Sequence, residues 1–79
     1  MKTIRVEYFA VLREQVGQPA EAVYTGAATA AALYAELAER HAFPELQTLK
    51  VAINDDFADW QAPLSDGDTV VFIPPVAGG

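Results

Sequence analysis

Residues Lys2 to Phe9 alternate in character. Ile4, Val6 and Tyr8 fall on one face; Thr3, Arg5, Glu7 and Phe9 fall on the other. A period of two predicts a strand. Ala10 to Gln18 reads as a loop with room for one helical turn at Val11-Leu12-Arg13-Glu14, punctuated by Gly17 and Pro19. Glu21 to Thr25 predicts a short second strand, with Ala22 and Tyr24 on one face and Val23 on the other. The two strands are expected to pair as an antiparallel hairpin.

At Thr29, a good N-cap residue, the period changes. Ala30, Leu33, Tyr34, Leu37, Ala38 and His41 recur at helical spacing and form one stripe. The spacing predicts a helix over 30–42, with Pro44 stopping it. Glu36 and Arg40 are spaced for an ion pair on its wet face. Leu49 to Asn54 predicts a third strand with Val51 and Ile53 on one face, and Asn54-Asp55-Asp56 a turn. Phe57 to Trp60 reads as a brief edge strand. Ser65-Asp66-Gly67-Asp68 is a turn signal. Thr69 to Ile73 is the last strand, with Val70 and Phe72 alternating with Val71 and Ile73.

One amphipathic helix over a mixed sheet is the two-layer α+β arrangement. The β-grasp, or ubiquitin-like, roll fits this order. In it the first and last strands pair in parallel at the sheet centre, and residues 1–75 form the domain. One helix covers one face, so the opposite face should be wet. Yet that face carries Phe9, Val71 and Ile73, with Phe57 nearby. An apolar patch on the open side of a small sheet marks an interaction site. Phe9 and Ile73 lie at the strand ends nearest the C-terminus, so the patch is expected around the base of the final residues.

Composition narrows the chemistry. The 79 residues are 52% hydrophobic, which is enough for one core. A domain of this size buries about 60–65% of its unfolded surface, leaving little room for an enclosed active site. The absence of cysteine excludes disulfides and thiolate catalysis. The formal charge of −6 disfavours nucleic acid and suits a basic patch on a protein partner or simple solubility. No signal peptide and no membrane-length apolar run is visible, so the expected setting is the cytoplasm, away from membranes.

No internal catalytic constellation appears. His41 lies on the apolar stripe and reads as a packed residue at the helix end. Asp55 and Asp56 read as turn residues. Asp66-Gly67-Asp68 lacks the ligand spacing of a calcium loop, and no metal or cofactor is expected on the chain. Trp60 reads as a packing anchor.

What remains is the ending Pro74-Pro75-Val76-Ala77-Gly78-Gly79. The prolines stop the strand and stiffen the base of a tail over residues 76–79. Two glycines without Cβ atoms can lie extended in a narrow tunnel and carry the Gly79 carboxylate into another protein's active site. A carboxylate is a poor acyl donor. Adenylation by ATP would activate it, and a sulfur nucleophile displacing AMP would leave a thiocarboxylate. The catalytic groups for these steps would come from partners. A frayed terminus of a plain binding module is the alternative.

Tyr8-Phe9-Ala10 with Leu12-Arg13-Glu14, Val51-Ala52-Ile53-Asn54, Leu64 to Val70, and Phe72-Ile73 with the Pro-Pro-Val-Ala-Gly-Gly ending resemble the small, sulfur-carrier subunits of molybdopterin synthase across essentially the whole chain. The resemblance implies that an E1-like enzyme adenylates Gly79 and that a sulfur-donating enzyme helps convert it to a thiocarboxylate, with Gly78 giving the tail its freedom. It implies insertion of the tail into the large subunit of a heterotetramer, where the sulfur builds the dithiolene of molybdopterin. It maps the hydrophobic surface that meets both partners onto Phe9, Phe57 and Ile73, within the patch that alternation marks. With Val71 and the tail residues Pro74, Pro75, Val76 and Ala77 these are the expected partner-binding residues. ATP would be bound by the activating enzyme. A carrier for thiamine or tRNA thiolation, and a ubiquitin-like protein modifier, remain open.

Overall fold

The computed structural model describes residues 1–74. The chain runs β1 (Lys2–Tyr8), α1 (Ala10–Val16), β2 (Ala20–Thr25), α2 (Ala30–Ala38), a 3-10 turn (Leu46–Thr48), β3 (Lys50–Ile53), β4 (Asp56–Ala58) and β5 (Thr69–Ile73). The strands form one sheet in the order β2-β1-β5-β3-β4. β1 pairs antiparallel with β2 and parallel with β5, which places the last strand at the centre. This is the β-grasp roll expected from the sequence.

Alternation explains the strands. Ile4, Val6 and Tyr8 are buried in β1, while Thr3 and Arg5 are exposed. Val70 and Phe72 are fully buried in β5. They meet Ala30, Leu33, Tyr34 and Leu37, the buried stripe of α2. Thr29 caps α2, its hydroxyl oxygen accepting from the Ala32 backbone N–H at 3.2 Å. Tyr34 packs edge-on to Phe72 at 5.0 Å between centroids, and Trp60 stacks on the same ring at 5.8 Å. Trp60 is thus the packing anchor that its isolated position suggested.

Two turns hold the end of the sheet remote from Ile73. Asn54 and Asp55 both have positive φ, at 52° and 75°, as a tight hairpin between β3 and β4 requires. Gly67 sits at φ 88°, where a Cβ would be strained. Asp66 accepts from the Thr3 N–H at 2.7 Å, and Asp68 accepts from the Ser65 N–H and the Asn54 side-chain amide. These donors hold the Asp68 carboxyl below its ordinary range, the Ser65 N–H first and the Asn54 amide second. The acidic turn is a structural knot, in line with its reading as a turn.

Four local expectations are corrected. Ala10 to Val16 is a helix rather than a loop, because Leu12 is fully buried and plugs the open end of the core. α2 ends at Ala38, short of residue 42. His41 lies beyond the helix and stacks on Phe43 at 5.2 Å. Glu36 does not pair with Arg40. It accepts from the Thr25 hydroxyl at 2.7 Å, satisfying a polar group that is buried. The edge strand covers Asp56–Ala58 instead of running from Phe57 to Trp60, since Trp60 turns inward to the core. Among the described residues, no helix is long and apolar enough to cross a membrane.

Candidate functional site

The face of the sheet away from α2 carries the candidate site. In β5 the residues between the buried Val70 and Phe72 point to it, so Val71 and Ile73 are half-buried there. The register extends the surface sideways. Val71 pairs with Glu7 on one side and Ala52 on the other, and Ala52 pairs in turn with Phe57. The next row joins Ile73 to Lys50. Tyr8 pairs with Phe72, so Phe9 and Ile73 each lie one step further toward the same end.

Phe9 departs from the expected strand. β1 ends at Tyr8, and Phe9 is the N-cap of α1, extended at φ −114° and ψ 148°. Ala10 then takes φ 51°, a left-handed conformation unusual for alanine. That reversal starts the helix and leaves Phe9 45% exposed at the end of the sheet. Phe57 is 73% exposed on edge strand β4. Val71, Ile73 and Phe57 therefore share the outer face, and Phe9 lies exposed at the Ile73 end of the sheet. Pro74 is half-buried where β5 ends. Pro75, Val76, Ala77, Gly78 and Gly79 lie outside the described residues.

Two residues of this face were not singled out by sequence. Ala52 is the floor between Val71 and Phe57, and Lys50 is the cation beside Ile73. That they share a face follows from their alternation with Val51 in β3, whereas their place beside β5 depends on the β3–β5 register. Tyr24 is also exposed, but it pairs with Thr3 on the opposite edge and at the opposite end, away from Ile73.

The electrostatics offer little chemistry of their own. Among the described residues the ion pair is Arg5–Glu7 at 3.1 Å, solvated on the outer face and worth at most about 1 kcal/mol. Tyr8 donates to Glu21 at 2.6 Å. Burial, then the Glu21 contact, pushes the Tyr8 phenol far above its ordinary value, so it is a neutral donor. Burial also raises Tyr34, to about 12. Among the described residues no group of three His, Asp or Glu side chains could hold a metal ion. What the geometry provides is a rigid central strand, an apolar collar around its C-terminal end, and a chain that continues from there.

Comparison with known proteins agrees with this arrangement. The ThiS family matches residues 6–79. The chain is 40% identical to the molybdopterin synthase sulfur carrier subunit of Escherichia coli (strain K12), over 96% of this chain and 99% of that protein. A proposed molybdopterin converting factor subunit 1 from Pyrococcus furiosus superposes with a TM-score of 0.79 at 28% identity, covering 96% of this chain and 100% of that one. A further likeness is to a chain in the complex of subunits 1 and 2 of molybdopterin-converting factor from Helicobacter pylori. Its TM-score is 0.68 at 29% identity, with 98% and 99% of the two chains covered. The chain belongs to the ThiS family, on the β-grasp fold.

Proposed function

We propose that this chain is the sulfur carrier subunit of a molybdopterin synthase. The observation that supports this most directly is its 40% identity, over nearly the full length of both proteins, to a subunit of that name. The similarity to a chain from a two-subunit converting-factor complex supports a larger partner subunit. The collar of Phe9, Phe57, Val71, Ile73 and Pro74 would dock against that partner, with Pro75, Val76 and Ala77 leading Gly78 and Gly79 into its active site.

The chemistry in this reading lies at the Gly79 carboxylate. A carboxylate oxygen attacks the α-phosphorus of ATP held by an E1-like enzyme, and pyrophosphate leaves. Hydrosulfide delivered by a donor enzyme then attacks the acyl carbon, the acyl–phosphate bond breaks, and AMP leaves. The resulting thiocarboxylate bonds through its sulfur to a carbon of the pterin precursor on the large subunit. Hydrolysis of the thioester so formed leaves the sulfur on the pterin and returns the Gly79 carboxylate. In this reading the acid, base and any metal come from the partners. The carrier supplies a small acyl terminus, an adjacent docking face and a rigid strand between them. The use of ATP supports a cytoplasmic setting for this reading.

The test is intact mass. Incubation with ATP, the activating enzyme and a sulfur donor should add the difference between sulfur and oxygen, localised to Gly79. Subsequent incubation with the large subunit and cyclic pyranopterin monophosphate should remove it and yield molybdopterin. A chain carrying one residue appended after Gly79 should melt normally and take up no sulfur. Sulfur uptake without molybdopterin formation would point to a thiamine or tRNA pathway, and stable lysine conjugates to a modifier. An unchanged mass with a competent activating enzyme would refute the carrier reading.

A further inference from the structure

The chain carries five Lys and Arg against eleven Asp and Glu, so a cation on the docking face stands out against an acidic background. Lys50 is such a cation. β3 places it across from Ile73, one residue before Pro74. It is exposed, and it takes no part in the ion pair found among the described residues. Ile73 lies across from it on one side and Ala52 two residues on, apolar surface along which a lysine stem packs while its ammonium stays in water.

Lys50 also lines a groove of about 580 Å³ together with Val51, Phe57, Ala58, Asp59 and Trp60. Phe57 belongs to both the collar and the groove, so the two surfaces adjoin at β4. That strand is the sheet edge, with β3 on one side only. An unpaired edge beside an apolar groove suits an extended segment of another chain. Asp59, which the β3–β4 register carries opposite Lys50, also lines the groove and makes no ion pair with that lysine.

We infer that the docking surface continues round β4 into this groove, and that its occupant is an apolar segment of the large subunit bearing an Asp or Glu carboxylate that pairs with the Lys50 ammonium. This rests on the docking face proposed above. The pair is a charge-assisted hydrogen bond beside apolar groups that exclude water, where such contacts are strong. Its purpose is register. Charge pairs at an interface set orientation and encounter rate. A contact one residue from Pro74 sets how far the tail reaches into the partner.

The experiment is titration calorimetry of the full-length chain with the large subunit at two salt concentrations. Lys50→Glu should weaken binding about tenfold or more, as loss and reversal of a close interfacial charge does. Lys50→Gln should weaken it less and reduce the salt dependence. Reversing one partner carboxylate to Lys should restore the affinity of Lys50→Glu. Affinity of Lys50→Glu within about twofold of the unchanged chain, with Phe57→Asp still disruptive, would overturn the Lys50 contact and leave the docking face intact. If Phe57→Asp is also without effect, the docking face fails as well. A change in self-association alone, read by light scattering, would assign the groove to a second copy and overturn the inference.

Discussion

β5 presents two faces made from nearly the same residues, and they do different work. Val70 and Phe72 are fully buried beneath α2; Val71 and Ile73, one step along, are only half-buried on the bare face. Hydrophobicity therefore does not distinguish them. What separates them is whether this chain supplies a covering layer. Where it does, apolar area contributes to folding. Where it does not, the same area stays available for a partner. A single strand can thus anchor the core and a docking face at once, with Ile73 leading directly to the tail.

Mutation of the two faces should separate these roles. The largest effect is expected on the covered face. Phe72 contacts Tyr8, Tyr34 and Trp60, and Phe72→Ala should cost about 3–5 kcal/mol by denaturant unfolding. That is a large share of a total stability of roughly 4–12 kcal/mol for a chain of this length. A loss under about 1 kcal/mol would mean that the aromatic cluster is not the core. On the bare face, Phe9→Asp should weaken large-subunit binding about tenfold, or about 1.4 kcal/mol. Its melting temperature should hold or rise slightly, because Phe9 is an N-cap with no side-chain bond and Asp can provide one. Equal losses of stability and affinity would erase the distinction between the faces.

Smaller effects sharpen the account of how α2 is held over the covered face. Thr29→Ala removes the cap and should cost about 1 kcal/mol, with docking unaffected. The pH dependence should likewise report the covered side and its turns. Tyr34 has a folded pKa raised from 10.0 to about 12, so its contribution is complete below pH 10 and is lost as pH rises toward 12. The Asp68 carboxyl is shifted the other way. Its small, solvated contribution is present above its ordinary value of 3.8 and fades as pH falls below that. Melting curves across these two windows check both signs, and Asp68→Asn should flatten the acid limb.

The legibility of each element follows from how local its cause is. The alternation of Ile4, Val6 and Tyr8 and the stripe through Leu33, Tyr34 and Leu37 are patterns within one segment, and they named their elements correctly. The outer face was legible for the same reason, since Val71 and Ile73 must oppose Val70 and Phe72. α1 was not, because its seven residues have one buried side chain, Leu12, and no acidic residue in the first turn or side-chain cap. Only the open end of the core makes that helix worthwhile. Glu36 was misread because its spacing to Arg40 is local, whereas the buried Thr25 hydroxyl that captures it is eleven residues away.

By itself the sequence determined the β-grasp order, the two faces of the last strand and the glycine ending, because each is written in local period or residue type. Tertiary structure alone decided that Phe9 leaves the strand as a cap, that Lys50 and Ala52 flank β5, and that a groove runs round β4. The flanking of β5 depends on register between strands distant in the chain. Register is set by the whole core closing at once, and no single segment encodes it.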